Sequence, residues 1–472
     1  MLEPVLKPTA PRFSINFGSF FGKIFCSMLN TAAKFCQKVA QNLWKIETRW
    51  VLRQALKSGV KKDSGQVLNK FIPIMIKKIF FITLLISNGS LAAGYSTGIY
   101  STSGLGNSYA GSVTGIHDAS DVFFNPAISA NLANSELIVS ETYLKINSKP
   151  EHVSSNKSGI NENNAGVDSQ IPELFFAMPI NKKMAFALAI TSPFGLATKY
   201  DQNWVGRYHA VESSIATVNF NPSLSYKFFD DLSVGVGLVA QYYKTTLTKM
   251  VNIGYDAIGK AHGSDLGYGY NLGASYRFDE YLKFGVGYRS KIDHTLIGTS
   301  QIINFAYSDI QAKTTTPESL VAGIAFKADK NLELAYDANW TRWSRLKKLS
   351  IHAYQNSILS ETATFNWHDS FLHSIGANFT LNDQWLIRSG LAYEKDATSD
   401  SARDPKIPTS DRVWISAGFN YKINKSWEID VAYVHQFFKT AKVDLINASA
   451  GNLNAHYKTR VDVFSIAAKQ MF

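Results

Sequence analysis

Residues 412–423 read RVWISAGFNYKI. On an extended strand Val413, Ile415, Ala417, Phe419 and Tyr421 share one face, while Trp414, Ser416, Gly418, Asn420 and Lys422 share the other. Residues 232–242, LSVGVGLVAQY, repeat the pattern: Val234, Val236, Leu238 and Ala240 oppose Ser233, Gly235, Gly237 and Val239. Apolar outward with small or polar inward is the arrangement of a transmembrane β-barrel, whose strands meet lipid on one side only. A soluble barrel would invert it.

Strand-like segments of this kind recur between turn signals from residue 136 to the C-terminus. Fourteen are predicted, near 136–146, 170–180, 184–194, 214–229, 232–249, 267–278, 282–300, 317–328, 332–346, 364–381, 385–396, 412–423, 427–444 and 456–472. The number is even, as in bacterial single-chain outer-membrane barrels. Short connections at 229–231, 279–280 and 424–425 alternate with longer ones near 147–169, 250–266, 300–316, 347–363, 397–411 and 445–455. Short turns and long loops are therefore expected on opposite rims. Trp340, Trp343, Trp385 and Trp427 stand near predicted strand ends, where interfacial girdles belong. Asn221-Pro222 lies inside a predicted strand and is expected to mark a bulge, because proline removes a ladder donor. No apolar run after Ala93 approaches the ~20 residues of a spanning helix. The expected fold is an all-β membrane protein, a 14-stranded antiparallel transmembrane β-barrel over residues 136–472.

Residues 102–132, TSGLGNSYAGSVTGIHDASDVFFNPAISANL, show neither a helical nor a strand period. Gly104 and Gly106 allow a folded, loop-like path, and Asn125-Pro126-Ala127 favours a rigid turn. This stretch predicts an N-terminal plug, or hatch, over residues 93–135 with the barrel closed around it.

The formal charge of +11 suggests a nucleic-acid or membrane-surface binder until it is divided. Residues 1–92 hold 14 Lys and Arg against 3 Asp and Glu, and the remainder holds 34 against 34. The basic excess belongs to the leader, so no nucleic-acid partner is expected. Cys26 and Cys36 are also in the leader, which excludes a disulfide framework, a Cys-ligated metal and a Cys nucleophile from the rest. Met75-Ile76-Lys77-Lys78, the apolar run IFFITLLI at 79–86 and Ser90-Leu91-Ala92 compose a signal peptide over residues 75–92, with cleavage near Ala92/Ala93. Residues 1–74 are read as a mis-assigned N-terminal extension.

Six stretches, in order, resemble the FadL family of outer-membrane long-chain fatty acid and hydrocarbon transport proteins (OMPP1/FadL/TodX-like). They are SGLGNSYAG…HDASDVFFNPA within 103–127, SPFGLATKYDQNWVGRYHA at 192–210, NFNPSLSYKF at 219–228, TPESLVAGIAFK at 316–327, DANWTRWSRL at 337–346 and IPTSDRVWISAGFNY at 407–421. The resemblance implies passive uptake of a hydrophobic molecule, with a long-chain fatty acid as the first reading. Capture at the outer side is followed by an interior pocket and lateral exit through a kinked third strand, without nucleotide or other cofactor. The alternatives are an aromatic or alkane hydrocarbon channel of the same family, and a structural or adhesive barrel. It also implies a Gram-negative outer-membrane location and, as expectations, a monomer in contact with outer-membrane lipid.

Ser192-Pro193-Phe194-Gly195 interrupts the third predicted strand: proline donates no ladder bond and glycine permits unusual φ, so the strand there bulges, turns, opens the wall or simply ends, and the resemblance implies that the stretch is the kink. Arg207 can hold a ligand carboxylate bidentately or pair with an interior or loop acid. The alternating strand ending in Phe472 resembles the signal read by the barrel assembly machinery. No catalytic or metal site is expected: His368 and His373 differ by an odd number, and no HExxH, GxSxG, Walker or dinucleotide motif stands in a fitting context. N-terminal sequencing of the mature protein from outer membranes is expected to begin at Ala93; retention of residues 1–74 would contradict the leader reading.

Overall fold

The computed structural model describes residues 94–472. The extension 1–74, the signal peptide 75–92, the Ala92/Ala93 junction and both cysteines lie outside the described residues.

Fourteen antiparallel passes form one closed barrel. The first two are β1 (Glu136–Ser155) and β2 (Ser169–Pro179); the third is broken into β3 (Met184–Thr191) and β4 (Gly195–Lys199). Then come β5 (Glu212–Lys227), β6 (Leu232–Asn252) and β7 (Asp256–Arg277). The seventh pass joins β8 (Leu282–Arg289) to β9 (Ile292–Ile302), and the eighth joins β10 (Ala306–Thr316) to β11 (Ser319–Lys327). The ninth, β12 (Leu332–Thr341), is separated from the tenth by a small hairpin, β13 (Lys348–Ala353) and β14 (Glu361–Thr364). β15 (Ser370–Thr380), β16 (Trp385–Lys395) and β17 (Arg412–Asn424) follow; β18 (Trp427–Phe438) continues into β19 (Ala441–Leu445), and β20 (Leu453–Met471) is last. β20 pairs with β18 on one side and with β1 on the other, from Glu136↔Met471 to Ser155↔Leu453, so the ring closes. Closure is what lets strands span lipid, where an unpaired backbone group finds no water.

The faces fall as the alternation requires. Val413, Ile415, Val236 and Leu238 are exposed on the outside, while Trp414, Ser416, Ser233 and Val239 are buried toward the lumen. Phe228, Phe229, Phe278, Tyr281 and Phe472 are exposed at the rim of short turns. Of the four tryptophans expected in girdles, Trp343 is buried instead, while Trp427 shares the outward face of Tyr433 and Phe437 on its strand. Trp343 packs edge-on against Tyr95 at 4.8 Å and Trp367 at 5.3 Å, inside the barrel. Trp385 lies against Tyr421 at 4.6 Å.

Two stretches expected as loops are strand. β6 and β7 pair without interruption from Leu232↔Tyr276 to Asn252↔Asp256, so 250–266 is mostly ladder turned at residues 253–255. β9 and β10 likewise pair from Ile292↔Thr316 to Ile302↔Ala306, taking in most of 300–316. Past the bilayer nothing requires an apolar outer face, so the alternation fades while the hydrogen-bonded ladder continues. The expected bulge at Asn221-Pro222 is absent: Phe220↔Ala240 and Ser223↔Gly237 keep one register. The Asn221 side-chain amide donates to the Leu238 carbonyl at 2.8 Å, at the position where Pro222 has no N–H to give.

Residues 94–135 fill the lumen. Ser101 caps the short helix α1 (Thr102–Gly106), Asp118 caps the 3₁₀ turn Ala119–Phe123, and Asn125 caps Pro126–Asn131. Their hydroxyl, carboxylate and amide oxygens each accept an N–H that the turn's own geometry leaves orphaned.

Candidate functional site

The third pass loses its neighbour where Ser192-Pro193-Phe194 interrupts it. β3 pairs with β2 only from Ala185↔Pro179 to Ile190↔Leu174. Beyond that, the chain leading into β2 meets the third pass outward of the break, at Gly166↔Thr198, where the Lys199 N–H donates to Ala165 O at 3.0 Å. Between these points, residues 167–173 and 191–197 are the two banks of a window in the wall, closed at both ends. At ~3.3 Å per residue it is about 20 Å tall. On its far side the pass stays joined to β5, with three residues (192–194) facing two, from Thr191↔Asn219 to Gly195↔Ala216.

The backbone groups released by the kink are taken by the start of the plug. Thr97 N–H donates to Pro193 O at 2.9 Å and Gly195 N–H to Tyr95 O at 2.8 Å, with Ser96 opposite Phe194. The Thr97 hydroxyl donates to Ser192 O at 2.9 Å. Residues 95–97 thus act as a short substitute strand inside the wall.

Outward of this segment lies a cavity of about 630 Å³, within the ~300–1,000 Å³ typical of small-molecule sites. Tyr95, Leu196, Tyr243, Leu349, Phe365 and Trp367 are among its lining residues. Leu196 belongs to the kinked pass and Tyr95 to the plug, so the cavity adjoins the window through both. A small void of about 40 Å³ lies beside the break, between Pro193, Phe194, Tyr100, Phe123 and Arg289. Of the cations on the large cavity, Lys249 pairs with Glu361, Arg403 with Asp400 and Lys406 with Asp404. The Lys260 ammonium pairs with no carboxylate among the described residues.

Arg207 stands at the outer end of the wall. Its Nε donates to Asp256 at 2.8 Å and its Nη1 to the Ser158 carbonyl at 2.6 Å, and its guanidinium lies over the Tyr208 ring. Of the two partners open to it, the loop acid is the one observed. The Tyr208 hydroxyl and Arg207 together hold Asp256 below the usual carboxylate range.

The plug rests on glycines of the wall. A Cβ on Gly285 would lie 2.0 Å from Val113 O, and one on Gly287 1.9 Å from Phe124 O. Gly273 and Gly235 make the same allowance for Asn125-Pro126-Ala127. Asn125 uses its whole side chain here: Oδ1 accepts from Ala127 N–H at 3.0 Å, and Nδ2 donates to Val113 O at 2.8 Å and to Ala274 O of β7 at 2.9 Å. Gly104 packs against the Tyr109 ring and Gly106 against the Arg388 side chain. Asp337 of β12 accepts from Gly111 and Val113 N–H, both at 3.0 Å. Within the plug, burial works against a charge on His117, but the Asp121 carboxylate at 3.0 Å outweighs it and raises the imidazole pKa. Burial likewise opposes the Asp118 charge, yet Lys469, the Ser120 hydroxyl and Arg388 hold it below the usual range.

A closed fourteen-pass barrel with a seated plug, an interior apolar cavity and a side window defines an outer-membrane transport protein. The comparisons agree: residues 83–472 match the profile of the outer membrane protein transport protein family (OMPP1/FadL/TodX), and the chain belongs to that family. Outer membrane protein P1 of Haemophilus influenzae is 26% identical over 404 residues, covering 75% of this chain and 87% of its own. The long-chain fatty acid transport protein of Escherichia coli K12 is 23% identical over 407 residues, covering 76% and 91%. Among solved structures, a Pseudomonas aeruginosa FadL homologue superposes with a TM-score of 0.75 at 24% identity, covering 80% of this chain and 99% of its own. The P. putida toluene transporter TodX gives 0.62 at 14%, covering 79% and 98%. The chain is an outer-membrane transporter for hydrophobic substrates.

Several functional positions escaped the sequence reading. Residues 95–97 lie ahead of the quoted plug stretch and carry no motif. Trp343 and Trp367 lacked a signal for inward orientation, because both stand outside regular strand. Asp337 was findable, as a carboxylate in the middle of its strand on the face shared with Ala335 and Asn339. The glycine seat yields a direct expectation. Gly285→Val and Gly287→Val should unseat the plug and raise bilayer conductance by an order of magnitude, while the barrel keeps its heat-modifiable migration. Unchanged conductance in both would show that the wall glycines do not hold the plug.

Proposed function

We propose that this transporter takes up long-chain fatty acids, holding the chain in the apolar cavity and releasing it sideways through the window at residues 191–197. The observation that carries the reading is the continuity of cavity and window at Leu196 and Tyr95. Keeping a methylene out of water is worth ~0.8 kcal/mol, so a lateral exit spares a long chain a large rehydration cost. Arg207 is engaged by Asp256 and stands at the outer end of the wall, away from the apolar part of the cavity that would take the chain. The relatives include proteins titled long-chain fatty acid transport protein, which supports the cargo.

A second cargo, an aromatic hydrocarbon, is favoured by the rings of Tyr95, Tyr243, Phe365 and Trp367 around the cavity and by likeness to toluene transporters. Export and closure fit a monomeric barrel whose last strand, ending in Phe472, is delivered to the assembly machinery.

Uptake of labelled oleate and labelled toluene by cells lacking the native importer separates these readings. Pro193→Ala/Gly195→Val should cut uptake of the true cargo at least tenfold, with the barrel present at normal level. Equal uptake by intact and Pro193/Gly195-replaced protein would refute lateral exit.

A further inference from the structure

Three consecutive passes break at one height. β8 stops at Arg289 and β9 starts at Ile292, β10 stops at Thr316 and β11 starts at Ser319, and β12 stops at Thr341. The pairs Arg289↔Ser319, Ser319↔Thr341 and Ile292↔Thr316 set these breaks side by side. From Leu282, just above a short turn, to Lys291 is ten residues, about 25 Å of height at ~3.3 Å per residue and a tilt of ~40°. That is the height of the apolar band of an outer-membrane barrel. The belt therefore lies at the outer edge of the membrane.

The outer surface changes character there. Phe284, Val286, Leu320, Leu334 and Tyr336 are exposed below the belt. At the belt the outward face opens into a cleft of about 390 Å³ presenting Lys291, Arg342, Arg345 and Lys347, together with Asp293 and Thr315. The nearby carboxylates are committed. Asp293 accepts from Lys291 at 2.5 Å and from Thr315 at 2.8 Å, Glu318 pairs with Arg342 and Arg345, and Asp369 accepts from Trp340 and the Ser344 backbone. Lys347 pairs with no carboxylate among the described residues. Arg342, Arg345 and Lys291 keep 46%, 35% and 42% of their side chains exposed despite their pairs. Guanidinium and ammonium groups converging on one concavity are the ordinary chemistry of phosphate recognition.

We infer that this cleft holds a phosphate monoester borne by a glycolipid of the outer leaflet, with the lipid's acyl chains lying down the apolar wall below. The site is on the outside of the barrel, shares no lining residue with the cavity, and is independent of the cargo.

Native mass spectrometry of the full chain in detergent tests this with three probes: bisphosphorylated lipid A, the same lipid dephosphorylated, and inorganic phosphate. The intact protein should retain the bisphosphorylated lipid. Lys291→Ala/Lys347→Ala should retain at least tenfold less, with unchanged heat-modifiable migration, and dephosphorylation should weaken binding to the intact protein equally. Lys347→Ala alone, which breaks no ion pair, should show a smaller loss in the same direction and guards against a folding defect in the double variant. Equal retention by all three proteins, or retention indifferent to the lipid's phosphates, overturns the assignment. Inorganic phosphate binding as tightly as the lipid would assign the cleft to a free anion and overturn it too.

Discussion

A strand that leaves its neighbour inside a membrane wall must find other partners for its N–H and C=O groups, because lipid supplies none. Here Pro193 forces the departure and residues 95–97 supply the partners, through Thr97 N–H to Pro193 O and Gly195 N–H to Tyr95 O. The window is stable because it is bounded. Ile190↔Leu174 closes one end and Gly166↔Thr198 the other, while the ladder to β5 absorbs one extra residue. One consequence is that window and plug are a single structure. Displacing residues 95–97 would orphan the kink's backbone, so opening the path requires the plug's first segment to move or to let cargo pass beside Tyr95.

The rest of the plug is held differently. Its backbone presses on wall glycines, and Asp337 takes two of its N–H groups. Leaving two buried donors unpaired costs ~1–3 kcal/mol each, a sizeable share of the ~5–15 kcal/mol by which domains are stable. Asn125 ties the plug's turn to its own chain at Val113 and to the wall at Ala274 with one side chain. The seat at Asn125 and the substitute strand at residues 95–97 are thus two separate attachments of the plug to the wall.

Much of the fold was legible because lipid imposes a rule on every spanning residue. Where Val413 and Ile415 face outward and Trp414 and Ser416 inward, a two-residue period shows. Above the bilayer the rule lapses, and 250–266 read as a loop although its backbone is ladder. Trp343 was misplaced because aromatic character fits a girdle and a lumen equally. The break at Ser192–Gly195 was visible in proline and glycine chemistry. Its partner segment was not, since main-chain pairing with residues 95–97 leaves no signature in side chains. Pro222 shows the converse: Asn221 supplies the donor that proline lacks, so a residue that usually signals a bulge sits in an unbroken register.

The central claim is that cargo passes between β2 and the kinked third pass. Photo-crosslinking with a fatty acid carrying a diazirine near its methyl end, followed by peptide mapping of adducts formed during uptake, tests it most directly. The account predicts adducts on residues 167–173 and on Phe194 and Leu196, the two banks of the window. Adducts confined to the plug residues facing the rim of short turns, with none on either bank, would contradict it.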